Sequence, residues 1–157
     1  MLFSPMTVAD LDEVMEIERG SFSEPWSRGM IVHELKLPFS RTVVARADEE
    51  PHVLLGYICR WLLGDEIQIL NVAVHPERRQ GGIGRALVQL VMHEAEAHGV
   101  VTVTLEVRRE NQPAIRLYSA FGFAEHGVRR NYYGRGEDAL IMTWTAPSQR
   151  AGVTTGD

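Results

Sequence analysis

The run Arg78-Arg79-Gln80-Gly81-Gly82-Ile83-Gly84-Arg85-Ala86-Leu87 sets three glycines in four positions, where the apolar stretch ILNVAV gives way to a helix-like one. Glycine is a poor helix former. Its concentration there calls for a turn at positive φ or for something that must approach the backbone closely. A loop that feeds a helix N-terminus presents unpaired N–H groups and the positive end of the helix dipole, and phosphate is its usual guest. Arg78, Arg79 and Arg85 place charge suited to a polyphosphate on the rim, although arginines are also common on a solvated surface turn. A P-loop would require Lys followed by Ser or Thr after the last glycine, and this chain has GIGRAL. A dinucleotide fingerprint is partly matched by Gly82, Gly84 and the downstream Glu106. Its third glycine position holds Leu87, however, and HPERRQ separates the strand from the turn.

Two further side chains could move protons. Glu106 interrupts an apolar strand at VTLEV. It is either a general base or an outward-facing residue with a polar neighbour. Tyr118 in AIRLYSAF has the spacing of an ordinary amphipathic helix, for which core packing is the default. A phenol with a pKa near 10 also keeps its proton at neutral pH and can deliver it to a leaving group. Cys59 in GYICRWLL reads as core, since no partner motif surrounds it. His33, His52, His75, His93, His98 and His126 are scattered without metal-ligand spacing, and no metal is expected.

These residues need elements to hold them. Thr7 and Asp10 form a variant capping box ahead of a helix carrying Leu11, Val14, Met15 and Phe22. Ser27 caps a second short helix running to about Lys36. Strand-forming runs follow from Thr42, Val53 and Glu66, the last two joined by a hairpin at LLGDE. Residues 83–98 form the clearest helix, with Gly99 as its stop. VVTVTLEV is a strand, Asn111 and Pro113 open another helix, and two final antiparallel strands flank GRG. The crossover through residues 83–98 makes the strands at Val72 and Leu105 parallel neighbours in an α/β fold.

The chain has 157 residues, 45% hydrophobic and 24% charged, as expected for one globular domain. Residues 1–145 are expected to form it, and the small, polar residues 146–157 a disordered tail. The segment MLFSPMTVADLDE turns acidic early, unlike a secretory signal, and no apolar run suits a membrane span. One cysteine suits the cytoplasm. A formal charge of −5 speaks against nucleic acid and for a basic partner.

The run NVAVHPERRQGGIGRALV resembles the acetyl-CoA signature of the GNAT superfamily of N-acetyltransferases, here Arg79-Gln80-Gly81-Gly82-Ile83-Gly84. PWS at residues 25–27, LEVRREN at 105–111, AIRLY at 114–118, GF at 122–123, RRNYY at 129–133 and EDALIM at 137–142 narrow the resemblance to the ribosomal-protein N-alanine acetyltransferases, the RimI type. The resemblance covers nearly everything before the tail. It implies a GNAT fold: a mixed, mostly antiparallel central sheet with flanking helices and a parallel βαβ unit at the acetyl-CoA site. It also implies that Arg79, Gln80, Gly81, Gly82, Ile83, Gly84 and Arg85 hold the coenzyme pyrophosphate. Val72, Ala73 and Val74 would pair with the pantetheine amides as an added strand would, and Asn111 would contact the same arm. Gly81 departs from the family, whose members often carry a basic or longer residue there.

The same resemblance makes Glu106 the general base and Tyr118 the acid, with backbone N–H near Val74 meeting the oxyanion. Transfer would be direct, through a tetrahedral intermediate. An α-amine with a pKa near 7.7–8.0 needs only a modest base, whereas lysine lies near 10.4. Trp26, Tyr132 and Tyr133 are candidates for the walls of the acceptor groove. The expected acceptor is the N-terminal alanine of a small-subunit ribosomal protein. A lysine side chain or small-molecule amine as acceptor, and a non-catalytic acetyl-CoA sensor, are the alternatives. Retention of both Glu106 and Tyr118 disfavours the sensor.

Overall fold

A computed structural model describes residues 1–79 and 81–148. Gln80 and residues 149–157 of the expected tail lie outside the described residues. The chain forms two compact units.

The first unit comprises Met1–Leu62 and Leu70–Val91. Strand β1 (Leu2–Pro5) leads through a 3-10 turn (Val8–Asp10) into helix α1 (Leu11–Ser21). The expected capping box is present, the Thr7 N–H donating to Asp10 Oδ2 at 2.9 Å. Helix α2 (Arg28–Lys36) opens on Ser27, whose Oγ accepts from the Met30 N–H at 3.2 Å. Strands β2 (Ser40–Arg46), β3 (Leu54–Leu63) and β4 (Glu66–Val74) follow. In this unit the strand order is β1-β2-β3-β4, with β1–β2 and β2–β3 antiparallel. Val14 and Ile17 of α1 pack with Val44, Leu54 and Tyr57, all 2% exposed or less. Each such aliphatic side chain contributes about 1.5–3 kcal/mol by leaving water.

Strand β1 is absent from the sequence reading. All four of its residues are exposed, so no buried alternation marks it. The edge of β2 organises it by backbone pairing, from Leu2 opposite Arg46 to Pro5 opposite Val43.

The second unit comprises Leu63–Ile69 and Met92–Asp157. Helix α3 (Ile83–Ala97) starts in the first unit and ends here, at Gly99 with φ +65°. Strand β5 (Thr102–Arg108), helix α4 (Gln112–Ala120) and strands β6 (Ala124–Gly134) and β7 (Glu137–Thr145) complete it. The order is β4-β5-β7-β6, with β4–β5 parallel and both other pairs antiparallel. The parallel pairing runs from Glu66 opposite Thr102 to Ile69 opposite Leu105, and β4 then continues for residues 70–74. Val103, Leu105 and Val107 are buried, which sets Thr104 and Glu106 on the other face of β5. The Ala146 N–H donates to Val101 O at 2.8 Å, just past the end of β7. The result is an α/β fold whose sheet is mostly antiparallel with one parallel pair. Among the described residues no helix is long and apolar enough to cross a membrane.

Candidate active site

In the first unit, the glycine run forms the turn between β4 and α3. Gly82 has φ +77°, a left-handed conformation that side chains resist, and a Cβ built there would meet nothing within 4 Å. Backbone geometry, not crowding within the protein, calls for glycine at this position. The first helical bond of α3 runs from the Ala86 N–H to Gly82 O at 3.0 Å. The amides of Ile83 and Gly84 therefore lead the helix ahead of its ladder, at the positive end of a 15-residue dipole. That is a cradle for an anion.

Arg79 is engaged in another way. Its Nη2 donates to Ser21 Oγ at 3.1 Å and to Gly20 O at 3.5 Å, and its Nε to Val74 O at 3.4 Å. The guanidinium thus fastens the C-terminal end of α1, where a cation is favoured, to the end of β4. Two glycines complete this support, and both escaped the sequence reading. A Cβ on Gly20 would stand 2.9 Å from Pro76 Cγ, and one on Gly56 would stand 2.6 Å from Ala73 O. The available signal was an isolated glycine inside a helical pattern (IERGSF) and inside a strand pattern (LLGYI), each a mark of close approach. Ala73 itself is buried, with Val72 and Val74 half-buried. Trp26 is half-buried and packs on the first unit's core.

The second unit holds both candidate proton-transfer groups, Glu106 and Tyr118. Glu106 projects from β5 with its side chain 15% exposed, and its Oε1 lies 3.0 Å from Arg129 Nε of β6. A concavity of about 220 Å³ opens beside them, lined also by Gln68 and Thr104. Tyr118 is buried on α4, its ring centroid 6.0 Å from that of Phe123. Burial pushes its phenol up to about 12, and Tyr133 adds to the rise. Asn111 caps α4, its Oδ1 accepting from the Ala114 N–H at 3.2 Å.

Tyr132 and Tyr133 stand where β6 bulges out of its ladder, between the pairs Arg129–Ala139 and Gly134–Glu137. Asn131 makes the bulge at φ +57°: its N–H donates to Asp138 Oδ1 at 3.0 Å and its Oδ1 accepts from the Gly136 N–H at 2.7 Å. The two rings meet edge to face at 5.0 Å, Arg108 lies over Tyr133 at 4.3 Å, and Arg129 over Tyr132 at 5.5 Å. Burial, Glu106 and Tyr132 push the Tyr133 phenol up to about 12, with Arg108 opposing. Burial and a hydrogen bond to Glu106 also raise Tyr132. Glu106 is therefore the centre of a group of one cation and two aromatic hydroxyls. The arginine that opens RRNYY is thus the carboxylate's partner, beside the candidate wall residues Tyr132 and Tyr133.

Comparison with known proteins matches residues 11–123 to the Acetyltransferase (GNAT) family. The [ribosomal protein bS18]-alanine N-acetyltransferase of Escherichia coli strain K12 is 36% identical over 146 residues, covering 88% of this chain and 93% of that protein. An N-alpha-acetyltransferase of Sulfurisphaera tokodaii is 34% identical over 148 residues, covering 86% and 87%. Among solved structures, the ribosomal-protein-S18-alanine N-acetyltransferase from Escherichia coli superposes with a TM-score of 0.82 at 32% identity, covering 92% of each chain.

Proposed function

The chain belongs to the GNAT acetyltransferase family, and from that premise we propose that it acetylates the α-amine of an N-terminal alanine, with acetyl-CoA as donor and a small-subunit ribosomal protein as acceptor. The observation that carries donor binding is the left-handed Gly82 at the head of α3. The choice of acceptor is supported by the relatives named for bS18-alanine acetylation along most of their length. The reaction belongs in the cytoplasm, where such a protein would be met.

The residues present suit the donor. Gly81, Gly82, Ile83 and Gly84 offer backbone N–H groups to the pyrophosphate, and an added side chain at Gly82 would fill open space that the cradle leaves. Gln80 and Arg85 belong to the same proposed loop. Val72, Ala73 and Val74 offer the backbone of β4, beyond the last pair with β5, to the pantetheine amides. Asn111 is proposed to contact the same arm. Bound acetyl-CoA supplies an activated thioester carbonyl.

Glu106 then takes the proton of the attacking amine, directly or through water. Tyr118 protonates the departing thiolate. A phenol held near 12 is fully protonated at neutral pH, so it arrives loaded. The backbone N–H near Val74 donates to the carbonyl oxygen as charge gathers on it. Trp26, Tyr132 and Tyr133 are the residues proposed for acceptor recognition. The test is incubation with acetyl-CoA and peptides varied at the first two residues, read by mass spectrometry. A free N-terminal alanine should be acetylated, a blocked terminus should not, and a large aromatic first residue should react far more slowly. Equal acetylation of an internal lysine in the blocked peptide would refute the assignment.

A further inference from the structure

The structure assigns a positioning role to Glu18: its buried carboxylate fixes the acceptor-side segment, residues 22–27, against the coenzyme-pairing end of β4. This inference rests on the function proposed above. Glu18 is 1% exposed, on the inner face of α1. Its two oxygens divide their partners. Oε2 accepts from the backbone N–H of Trp26 at 2.8 Å. Oε1 accepts from Asn71 Nδ2 at 2.7 Å and from the Tyr57 hydroxyl. Asn71 Nδ2 also reaches the Tyr57 oxygen at 3.1 Å. One oxygen therefore serves the segment that carries Trp26. The other serves β3 and β4, at the residue just before Val72, Ala73 and Val74.

Each partner has a fixed place in the fold. Tyr57 is 2% exposed on β3, and burial raises its phenol well above the ordinary tyrosine range, so it stays a donor. Asn71 is held by β4. Residues 22–27 lie between two helices and outside any strand, so a bond from Trp26 to a buried carboxylate restrains a segment that no ladder restrains. A donor withdrawn from water that loses its acceptor bears the cost of desolvation. An apolar side chain at this position would leave all three donors without that acceptor. A carboxylate with three donors instead sets a distance between two working parts.

The variants Glu18→Ala and Glu18→Gln separate positioning from folding. The Trp26 N–H can only donate, whereas the Tyr57 hydroxyl can accept and the Asn71 amide can turn its oxygen inward. Glutamine can therefore satisfy all three partners, and alanine satisfies none. For a peptide with N-terminal alanine, Glu18→Ala should raise KM about tenfold, the size expected once the Trp26 N–H loses its acceptor and its segment is released. Its kcat and its acetyl-CoA dissociation constant should stay within about threefold of the parent, and Glu18→Gln should restore KM. Where the alanine variant does not fold, Glu18→Asp, which keeps the charge but shortens the reach, is read in the same way. A folded variant with the parent's peptide KM overturns the role. So does a loss of kcat that follows only the folded fraction, or equal impairment by glutamine and alanine. A parent that acetylates no α-amine refutes the proposed function instead, which keeps the two failures apart.

Discussion

Arg129 Nε lies 3.0 Å from Glu106 Oε1, so the carboxylate proposed to receive the substrate's proton already has a cationic partner. The Arg129 side chain is 55% exposed and that of Glu106 15% exposed, so water screens this pair from one side. On the proposed mechanism, this guanidinium competes with the acceptor amine for the same oxygen.

Arg129→Ala should therefore lower the KM for the acceptor peptide. A half-exposed pair is worth roughly 0.2–1 kcal/mol, so the change should be about fivefold at most. The KM for acetyl-CoA should not move. Steady-state kinetics at saturating acetyl-CoA decide it: a raised peptide KM would mean that Arg129 binds the acceptor and does not compete with it.

Glu106→Gln keeps the shape and removes the base. Turnover at pH 7 should fall by roughly 10²–10⁴. Part of it should return above pH 8, where more of an α-amine with a pKa near 7.7–8.0 is already neutral. Rates matching the parent at pH 7 would give the proton to another group or to bulk water.

Tyr118→Phe keeps the ring that faces Phe123 and removes the hydroxyl. We expect kcat to drop by roughly 10²–10⁴ with acetyl-CoA affinity little changed. The parent's pH profile carries a second check. Burial raises the phenol to about 12, so its proton is lost only as pH climbs toward that value. The rate should rise with amine deprotonation and then stay level through pH 10. A descending limb near pH 9 that vanishes in Tyr118→Phe would contradict this protonation state.

Gly82→Val forces a β-branched residue into φ +77°, at the head of α3. Non-glycine residues in strained regions of this kind cost about 1–3 kcal/mol, and the backbone cradle should deform to relieve that strain. Acetyl-CoA binding should weaken at least tenfold while the melting temperature shifts only modestly. Gly84→Val should act in the same direction. Calorimetry giving the parent's affinity in either folded variant would remove the loop from the coenzyme site.

Much of the fold was legible because its signals are local. The capping residues Thr7, Ser27 and Asn111, the stop at Gly99 and the strand-forming run 100–107 each act over a few residues, and each forms the expected element, the strand running from Thr102 to Arg108. The left-handed turn at Gly82 is local too, since only glycine takes that φ without strain. What the tertiary structure decided are the partners of polar groups distant in sequence. Glu18 and Asn71 are 53 residues apart, and Arg79 and Ser21 are 58 apart. No periodicity names such a pair, because chain topology alone brings its members within hydrogen-bond reach. The same holds for Gly56 against Ala73, for Arg129 on Glu106, and for β1, whose exposed residues carry no pattern and pair only because β2 offers an edge. Side-chain periodicity records which face is buried, and it is silent about what lies across from that face.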